Sequence, residues 1–380
     1  MQQKINSKPE KVKKILVIIG TRPEAIKLAP LVKQLNLEAD CKISLCTTGQ
    51  HSHLVDEVLQ LFELKPQYQL EVLKKGQSLS SLSARLFSQL EPIIITEKPE
   101  WVIIHGDTTT AMVASLVAFY QKVKICHIEA GLRTENKWAP YPEEINRQVI
   151  ARVADLNCAP TETARVNLIN EGINPETIIV TGNTIVDSIN QIQDKNSSRN
   201  YQNLWPQLKS DKQIVLVTIH RRENQGKPIA IINKVLQKIN SLNETIQLVF
   251  VLHPNPTISN QIREAFEEEP DVTLLESQPY DKFVMLMSQA YLIITDSGGI
   301  QEEAPSLGKP VVVLRSETER KESITQGLSV LVGNDEENIT TYVQKLLDDT
   351  MFYQSHLPER NPYGDGQASQ RIVSHLIRLG

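Results

Sequence analysis

The chain has 380 residues, 40% apolar and 22% charged, which is too long for one ordinary core and too apolar for a disordered or fibrous protein; two globular domains are expected. The formal charge of −5 leaves no global basic field, so nucleic acid is not an expected partner. There is no apolar run of about 18 residues to span a membrane, and "ILVII" after the polar "MQQKINSKPEKVKK" is too short for a signal-peptide core, so a cytoplasmic location is expected.

Short β-branched runs recur along the chain. They are "KILVIIG" (14–20), "WVIIHGD" (101–107), "VKICHIEAG" (123–131) and "TIIVTGN" (177–183), then "QIVLVTIH" (213–220), "QLVFVLHP" (247–254), "YLIITDSGG" (291–299) and "PVVVL" (310–314). Continuous runs of this kind suit strands buried on both faces, hence parallel sheets. Amphipathic patterns such as "PEAIKLAPLVKQL" and "TTAMVASLVAFYQ" lie between them, and the alternation predicts a doubly wound α/β fold. The pattern pauses in the polar stretch at about 186–212, which is expected to join two Rossmann-like domains. The expected division is 1–185 and 186–365, with a terminal helix over 366–380 returning to the first domain. Cys41, Cys46, Cys126 and Cys158 form no CxxC pair and no zinc-type cluster, so they are read as free thiols suited to a reducing cytosol.

Ligands of open parallel sheets bind outside the carboxyl ends of the strands. "GTRPEAIK", "HGDTTT" and "HIEAGLRT" all stand at such ends. Arg22 and Lys27 flank a helix start that carries Pro23, where Arg can clamp a diphosphate and Lys can add a point charge; a solvated helix end is the plainer reading. Asp107, Glu129 and Glu143 are carboxylates at the mouths of apolar runs, where several such groups can divide acid and base roles. Helix capping competes for Asp107, which three threonines follow. His220 ends a strand and matters only if it faces the same site. Ser297, Gly298 and Gly299 between a strand and a helix could cradle phosphate, with Glu303 placed to accept from ribose hydroxyls. Neither GxGxxG nor GxxxxGK[ST] is present, which argues against a nicotinamide cofactor and a P-loop. Asp348 and Asp349 read as a solvated helix face, so no metal is expected.

Taken together, "GTRPEAIKLAPLV", "HGDTTT", "HIEAGLRT", "PEEINR", "HRREN", "DSGGIQEEAPSLGKP" and "NPYGDGQAS", in order from about residue 14 to 375, resemble the non-hydrolysing UDP-N-acetylglucosamine 2-epimerases. The resemblance implies a glycosyltransferase-B type fold, with two Rossmann-like domains facing a central cleft. It also implies interconversion of UDP-GlcNAc and UDP-ManNAc through 2-acetamidoglucal, with no cofactor. By matching positions it implies that Asp107, Glu129 and Glu143 form the acid/base set and that His220 assists the departing UDP. Arg22, Lys27, Gln278, Phe283, Ser297, Gly298, Gly299, Glu303 and Arg320 match UDP-sugar ligands. Gln50, Arg85, Glu144, Arg221 and His253 match a second, activating UDP-GlcNAc site, although His53 stands where members often have Gln. A homodimer is the family precedent. A glycosyltransferase of the same fold, a hydrolysing 2-epimerase, a nucleotide-sugar sensor and a 2-epimerase for a modified sugar are the alternatives.

Overall fold

The computed structural model describes residues 12–50, 52–74, 76–221, 224, 226–269 and 271–379. Most of the polar N-terminal stretch 1–14, read above as no signal peptide, lies outside them. Two compact units divide the chain: one runs to Ser188 and resumes at Gly364, and the other is Ile189–Tyr363.

In the first unit the strands are β1 (Lys13–Ile19), β2 (Cys41–Thr47), β3 (Tyr68–Gln69), β4 (Trp101–His105), β5 (Lys124–Ile128), β6 (Leu156–Ala159) and β7 (Ile178–Val180). They form one parallel sheet in the order β3-β2-β1-β4-β5-β6-β7. Ile15–Ile19 and Trp101–Ile104 are almost completely buried, as expected of strands covered on both faces. The order reverses between β1 and β4, the kind of switch point where doubly wound sheets open a crevice.

The second unit repeats the plan with β8 (Gln213–Thr218), β9 (Ile246–Val251), β10 (Val272–Leu275), β11 (Ala290–Thr295), β12 (Val311–Val313) and β13 (Ser329–Leu331). Its parallel sheet runs β10-β9-β8-β11-β12-β13, with the reversal between β8 and β11. The polar stretch expected to join the domains is largely helical, over Thr184–Asn196 and Tyr201–Leu204, and the boundary falls inside the first of these helices.

The helix Ala368–Arg378 belongs to the first unit and packs on the helix Arg22–Leu35. Its start is capped from another element: the Asp187 carboxylate accepts from Ala368 N at 3.2 Å and Ser369 N at 2.8 Å. Its end is met by two lysines, which complement the negative end of the helix dipole: Lys13 Nζ donates to the carbonyls of Leu376 and Ile377, and Lys124 Nζ to that of Leu379. At the entry to the segment, Gly364 has φ +120°, and a Cβ there would stand 3.2 Å from Gly182 Cα, so the close backbone crossing needs glycine.

His127, on β5, is fully buried and donates from Nε2 to Gly106 O at 2.8 Å, a bond that by itself favours the charged ring. Burial, helped by the nearby Arg133 charge, outweighs that bond and drives its pKa from 6.5 down to about 4. The unfolded chain therefore binds a proton that the folded unit does not. The stabilisation is complete above pH ~6.5 and is lost progressively down to pH ~4, with a total of about 3 kcal/mol. Urea unfolding of the first unit is expected to show this loss, and His127→Gln to flatten it within that window; an unchanged slope would refute the assignment.

Candidate functional site

The strand ends of the first unit gather one set of charged groups. Glu129 follows β5 with φ +63°, a left-handed backbone that costs a non-glycine residue roughly 1–2 kcal/mol. Gly131, two residues on, holds the turn tight: a Cβ there would lie 2.2 Å from Ala164 O. This backbone directs the Glu129 side chain, 8% exposed, to three partners from other elements. Lys27 Nζ, from the helix Arg22–Leu35, makes an ion pair with Oε2. Asn183 Nδ2, after β7, donates to the same oxygen at 3.2 Å. His105 Nε2, ending β4, stands 3.6 Å away, buried and with no hydrogen-bond partner.

Asp107 is not the helix cap. Thr108 occupies that position, its hydroxyl accepting from Ala111 N at 3.1 Å, so the Asp107 carboxylate is not consumed by capping. Arg147 holds it instead. Nε and Nη2 of Arg147 reach Asp107 Oδ2 at 2.8 and 2.7 Å, and Asn146 Nδ2 donates to Asp107 O at 2.8 Å. The Asp107 side chain keeps 25% of its surface exposed, whereas Arg147 keeps only 5%. One carboxylate oxygen is thus clamped while the group still faces outward.

Arg147 Nη1 is held in turn by Glu144 Oε2 at 2.8 Å. Glu144 also accepts from the N–H groups of Thr134 and Glu135 at 3.1 and 3.2 Å, fixing the base of the segment before Pro140 and Pro142. Expected among the residues of a second ligand site, Glu144 is fully buried, with its carboxylate occupied inside the unit. Glu143, beside it, opens the helix Glu143–Val153, where two acidic residues suit the positive dipole end. Arg133 forms a two-pronged pair with Glu171 at 2.6 and 2.7 Å, pinning the chain just after Glu129.

Glu24 is a buried carboxylate that sequence reading passed over. Its Oε2 accepts from Gly20 N at 2.7 Å, Thr21 N at 2.6 Å and Thr21 Oγ1 at 3.0 Å, and its Oε1 from Thr108 Oγ1 at 2.6 Å. Burial lifts its pKa above the usual carboxylate value, although Thr108, His105 and the two backbone donors pull the other way. It ties the turn after β1, which carries Arg22, to the turn after β4, which carries Asp107. Of the other first-unit positions, Gln50 Oε1 accepts from Thr110 Oγ1 at 2.9 Å, and Arg85 donates to Val72 O at 2.9 Å and Ser81 Oγ at 3.0 Å.

In the second unit, His220 follows β8 and Asp296 follows β11, on either side of the order reversal. His220 Nδ1 lies 2.8 Å from Asp296 Oδ1, and Asp296 is fully buried. Burial alone would raise the Asp296 pKa, but hydrogen bonds from His220, Arg221 N at 2.9 Å and Asn224 Nδ2 at 2.8 Å outweigh it, leaving the carboxylate below its usual range. The ionised Asp296 orients the imidazole through Nδ1, which leaves Nε2 for another partner. His253 stacks on His220 with centroids 6.1 Å apart, and Arg221 Nε donates to Asp296 O at 2.9 Å.

Ser297 is the N-cap of the short helix Gly298–Glu303. A Cβ built on Gly298 would come no closer than 3.4 Å to Glu319 Oε1 and 3.6 Å to Arg320 Nη1, and one on Gly299 no closer than 3.8 Å to Ser297 Oγ. Those are ordinary contacts, and neither glycine has a positive φ. Nothing among the described residues therefore demands glycine at either position. Arg320 lies against this turn, held by Glu302 at 2.8 Å and Glu319 at 2.5 Å, and Arg315 adds a second guanidinium 3.2 Å from Glu319. Burial would raise the Glu319 pKa, but the Arg320, Arg315 and Arg221 charges take it down to about 2. Glu303 accepts from Tyr280 OH at 3.1 Å. Phe283 is half-buried in the first turn of the helix Tyr280–Gln289, and Gln278 donates to Glu276 O at 2.8 Å. Ser297, Gly298, Gly299, Glu303 and Arg320 thus gather about one turn. Among the described residues no group of three or more His, Cys, Asp or Glu side chains could hold a metal ion.

The family described as UDP-N-acetylglucosamine 2-epimerase matches residues 33–377. The UDP-N-acetylglucosamine 2-epimerase of Salmonella typhimurium is 44% identical over 368 residues, 96% of this chain and 98% of its own length. That of Campylobacter jejuni is 42% identical over 376 residues, 97% and 98% of the two chains. Among solved structures, the UDP-GlcNAc 2-epimerase from Neisseria meningitidis bound to UDP-GlcNAc superposes with a TM-score of 0.91 at 41% identity, covering 96% of this chain and 100% of its own. A UDP complex from S. aureus gives a TM-score of 0.88 at 41% identity, covering 97% and 96%. Two parallel-sheet units of the glycosyltransferase-B type, and a match over nearly the whole sequence, place this chain in the UDP-N-acetylglucosamine 2-epimerase family.

Proposed function

We propose that the protein interconverts UDP-N-acetylglucosamine and UDP-N-acetylmannosamine by inversion at C2, supplying ManNAc-type precursors for cell-surface polysaccharide. The observation that carries the reading is the pair of differently held carboxylates at neighbouring strand ends. Glu129 is buried against Lys27, and Asp107 is clamped by Arg147 but open on one side. In the proposed route a carboxylate takes the C2 proton and the C1–O electron pair leaves with UDP, giving 2-acetamidoglucal. A proton then returns to the other face of C2 and UDP adds back at C1. Two faces need two proton carriers, and Asp107, Glu129 and Glu143 are the proposed set.

The second unit serves the nucleotide in this reading. Gly298 and Gly299 let backbone N–H groups approach the diphosphate, with Ser297 and Arg320 beside them, and Arg22 is proposed as a further UDP-sugar ligand. Gln278 and Phe283 meet the uracil and Glu303 the ribose. His220, oriented by Asp296, donates from Nε2 to the departing UDP, where charge develops. Support comes from the glycines themselves: the fold would accept a methyl group at both, and a ligand pressed against the backbone would not.

Proton NMR of the purified protein with UDP-GlcNAc in D2O tests the reaction. UDP-ManNAc carrying deuterium at C2, with UDP still attached, is expected; free ManNAc would mark hydrolysis, and no exchange would point to another sugar or to a transferase. Asp107→Asn and Glu129→Gln are each expected to lower turnover about 10²–10⁴-fold with KM little changed; normal turnover in both would refute the roles.

Gly298→Ala separates ligand approach from folding. Its stability is expected to stay within about 1 kcal/mol of the parent, while calorimetry shows UDP binding weakened by about tenfold or more. Unchanged affinity would remove the cradle. A homodimer is also proposed, its apolar surface including Ile95, Phe119 and Tyr120, which are 51%, 54% and 64% exposed. Sedimentation at the monomer mass at micromolar concentration would refute it.

A further inference from the structure

His105 ends β4 with only 4% of its surface exposed, and its Nε2 has no hydrogen-bond partner. A buried polar atom left unsatisfied is destabilising. This one faces Glu129 Oε2 at 3.6 Å, just beyond hydrogen-bond reach. That oxygen is meanwhile taken by Lys27 Nζ and Asn183 Nδ2. The charged and titratable groups around the pair come from three elements: Lys27 and the buried Glu24 from the helix Arg22–Leu35, His105 from β4, and His127 from β5. A buried ring nitrogen aimed at a carboxylate oxygen that a lysine now holds suggests a second arrangement of the same atoms.

We propose that His105 is a positioning residue for the epimerisation: with its proton on Nε2, it takes over Oε2 of Glu129 when a diphosphate draws Lys27 away. The inference rests on reading Glu129 as a proton carrier and Lys27 as a diphosphate ligand. In the empty site Glu129 is neutralised by a cation and is a weak base. In the filled site that cation serves the phosphates, and a neutral donor holds the carboxylate in place. Glu129 then becomes a stronger base at the moment the C2 proton is presented to it. The basicity of Glu129 is tied to occupancy of the diphosphate site through Lys27, and His105 holds the carboxylate while touching neither the sugar nor the nucleotide.

The direct test is 15N NMR of the histidine side chains of the whole protein, with His105→Gln used to assign the His105 signals. Saturation with UDP is expected to shift the Nε2 resonance to that of a hydrogen-bonded, protonated nitrogen. No change on saturation would overturn the proposal. The kinetic test compares two variants. His105→Phe removes the donor and is expected to lower kcat by about 10²-fold with KM within threefold, and to displace the pH profile of kcat. His105→Gln returns a non-titrating donor near the same position and is expected to recover at least tenfold of that loss. Equal losses in both variants with the parent pH profile, or kcat within threefold of the parent in His105→Phe, would refute it. Glu129→Gln is run alongside: if it stays fully active, the reading of Glu129 fails rather than the inference about His105. If His105→Phe does not fold, the parent NMR titration and His105→Gln still decide.

Discussion

Taking the carboxylate of Glu129 out of water carries a penalty of several kcal/mol, and breaking a buried pair by removing one partner costs about 3–5 kcal/mol. The ion pair with Lys27 is therefore a constraint on everything around it. Lys27 must come from a helix that starts immediately after β1, which fixes the turn at Gly20 and Thr21. That turn is held by Glu24, whose other oxygen reaches Thr108 and so sets the turn after β4. A Cβ at Gly20 would lie 2.6 Å from Thr110 Oγ1, so the two turns pack with no room between them. One buried charge pair thus sets the spacing of three strand ends.

The second unit solves a similar problem by other means. Its buried carboxylate, Asp296, has no lysine beside it; it is satisfied by backbone N–H groups, an asparagine amide and an imidazole. Hydrogen bonds of that kind keep a carboxylate ionised without a full cation. The difference suits the groups each carboxylate serves. In the proposed reaction Glu129 is itself the group offered for chemistry, while Asp296 is held in place beside His220. Asp296 sits beside the point where its sheet reverses strand order, and the partners of Glu129, Lys27 after β1 and His105 on β4, come from the two strands that flank the reversal in the other sheet, where neighbouring loops diverge and leave space for side chains.

Much of this was legible in the residues. The long β-branched runs are strands, the alternation with helices gives parallel sheets, and the motifs carry the family. The strands that escaped notice are CKISLCT, LNCA, VTLL and SVL, together with the two-residue β3. The first mixes polar residues into its alternation, and the others are too short for a period to show. Side-chain partners were less legible still. Lys27 and Glu129 are 102 residues apart, and His220 and Asp296 are 76 apart. Such pairs are brought together by sheet order, which local pattern does not encode. Asp107 read as a possible cap because Asp caps well; Thr108 takes the position because the turn places its hydroxyl, one residue later, over the free N–H groups. Arg147 stood in plain view in a charged stretch, but nothing nearby in sequence marked it as the clamp on Asp107.

The return of the helix Ala368–Arg378 to the first unit has a consequence for how the protein is made. Ribosomes deliver residues in order, and domains usually fold as they emerge. Here the unit begun first is finished last. The caps of that helix, Asp187 at one end and Lys13 and Lys124 at the other, are all translated long before the segment they receive. While Ile189–Tyr363 is being synthesised, the helix Arg22–Leu35 still lacks the helix that packs on it. The nascent first unit is thus an incomplete body waiting for its closing piece, and the second unit is the one able to reach its native form first.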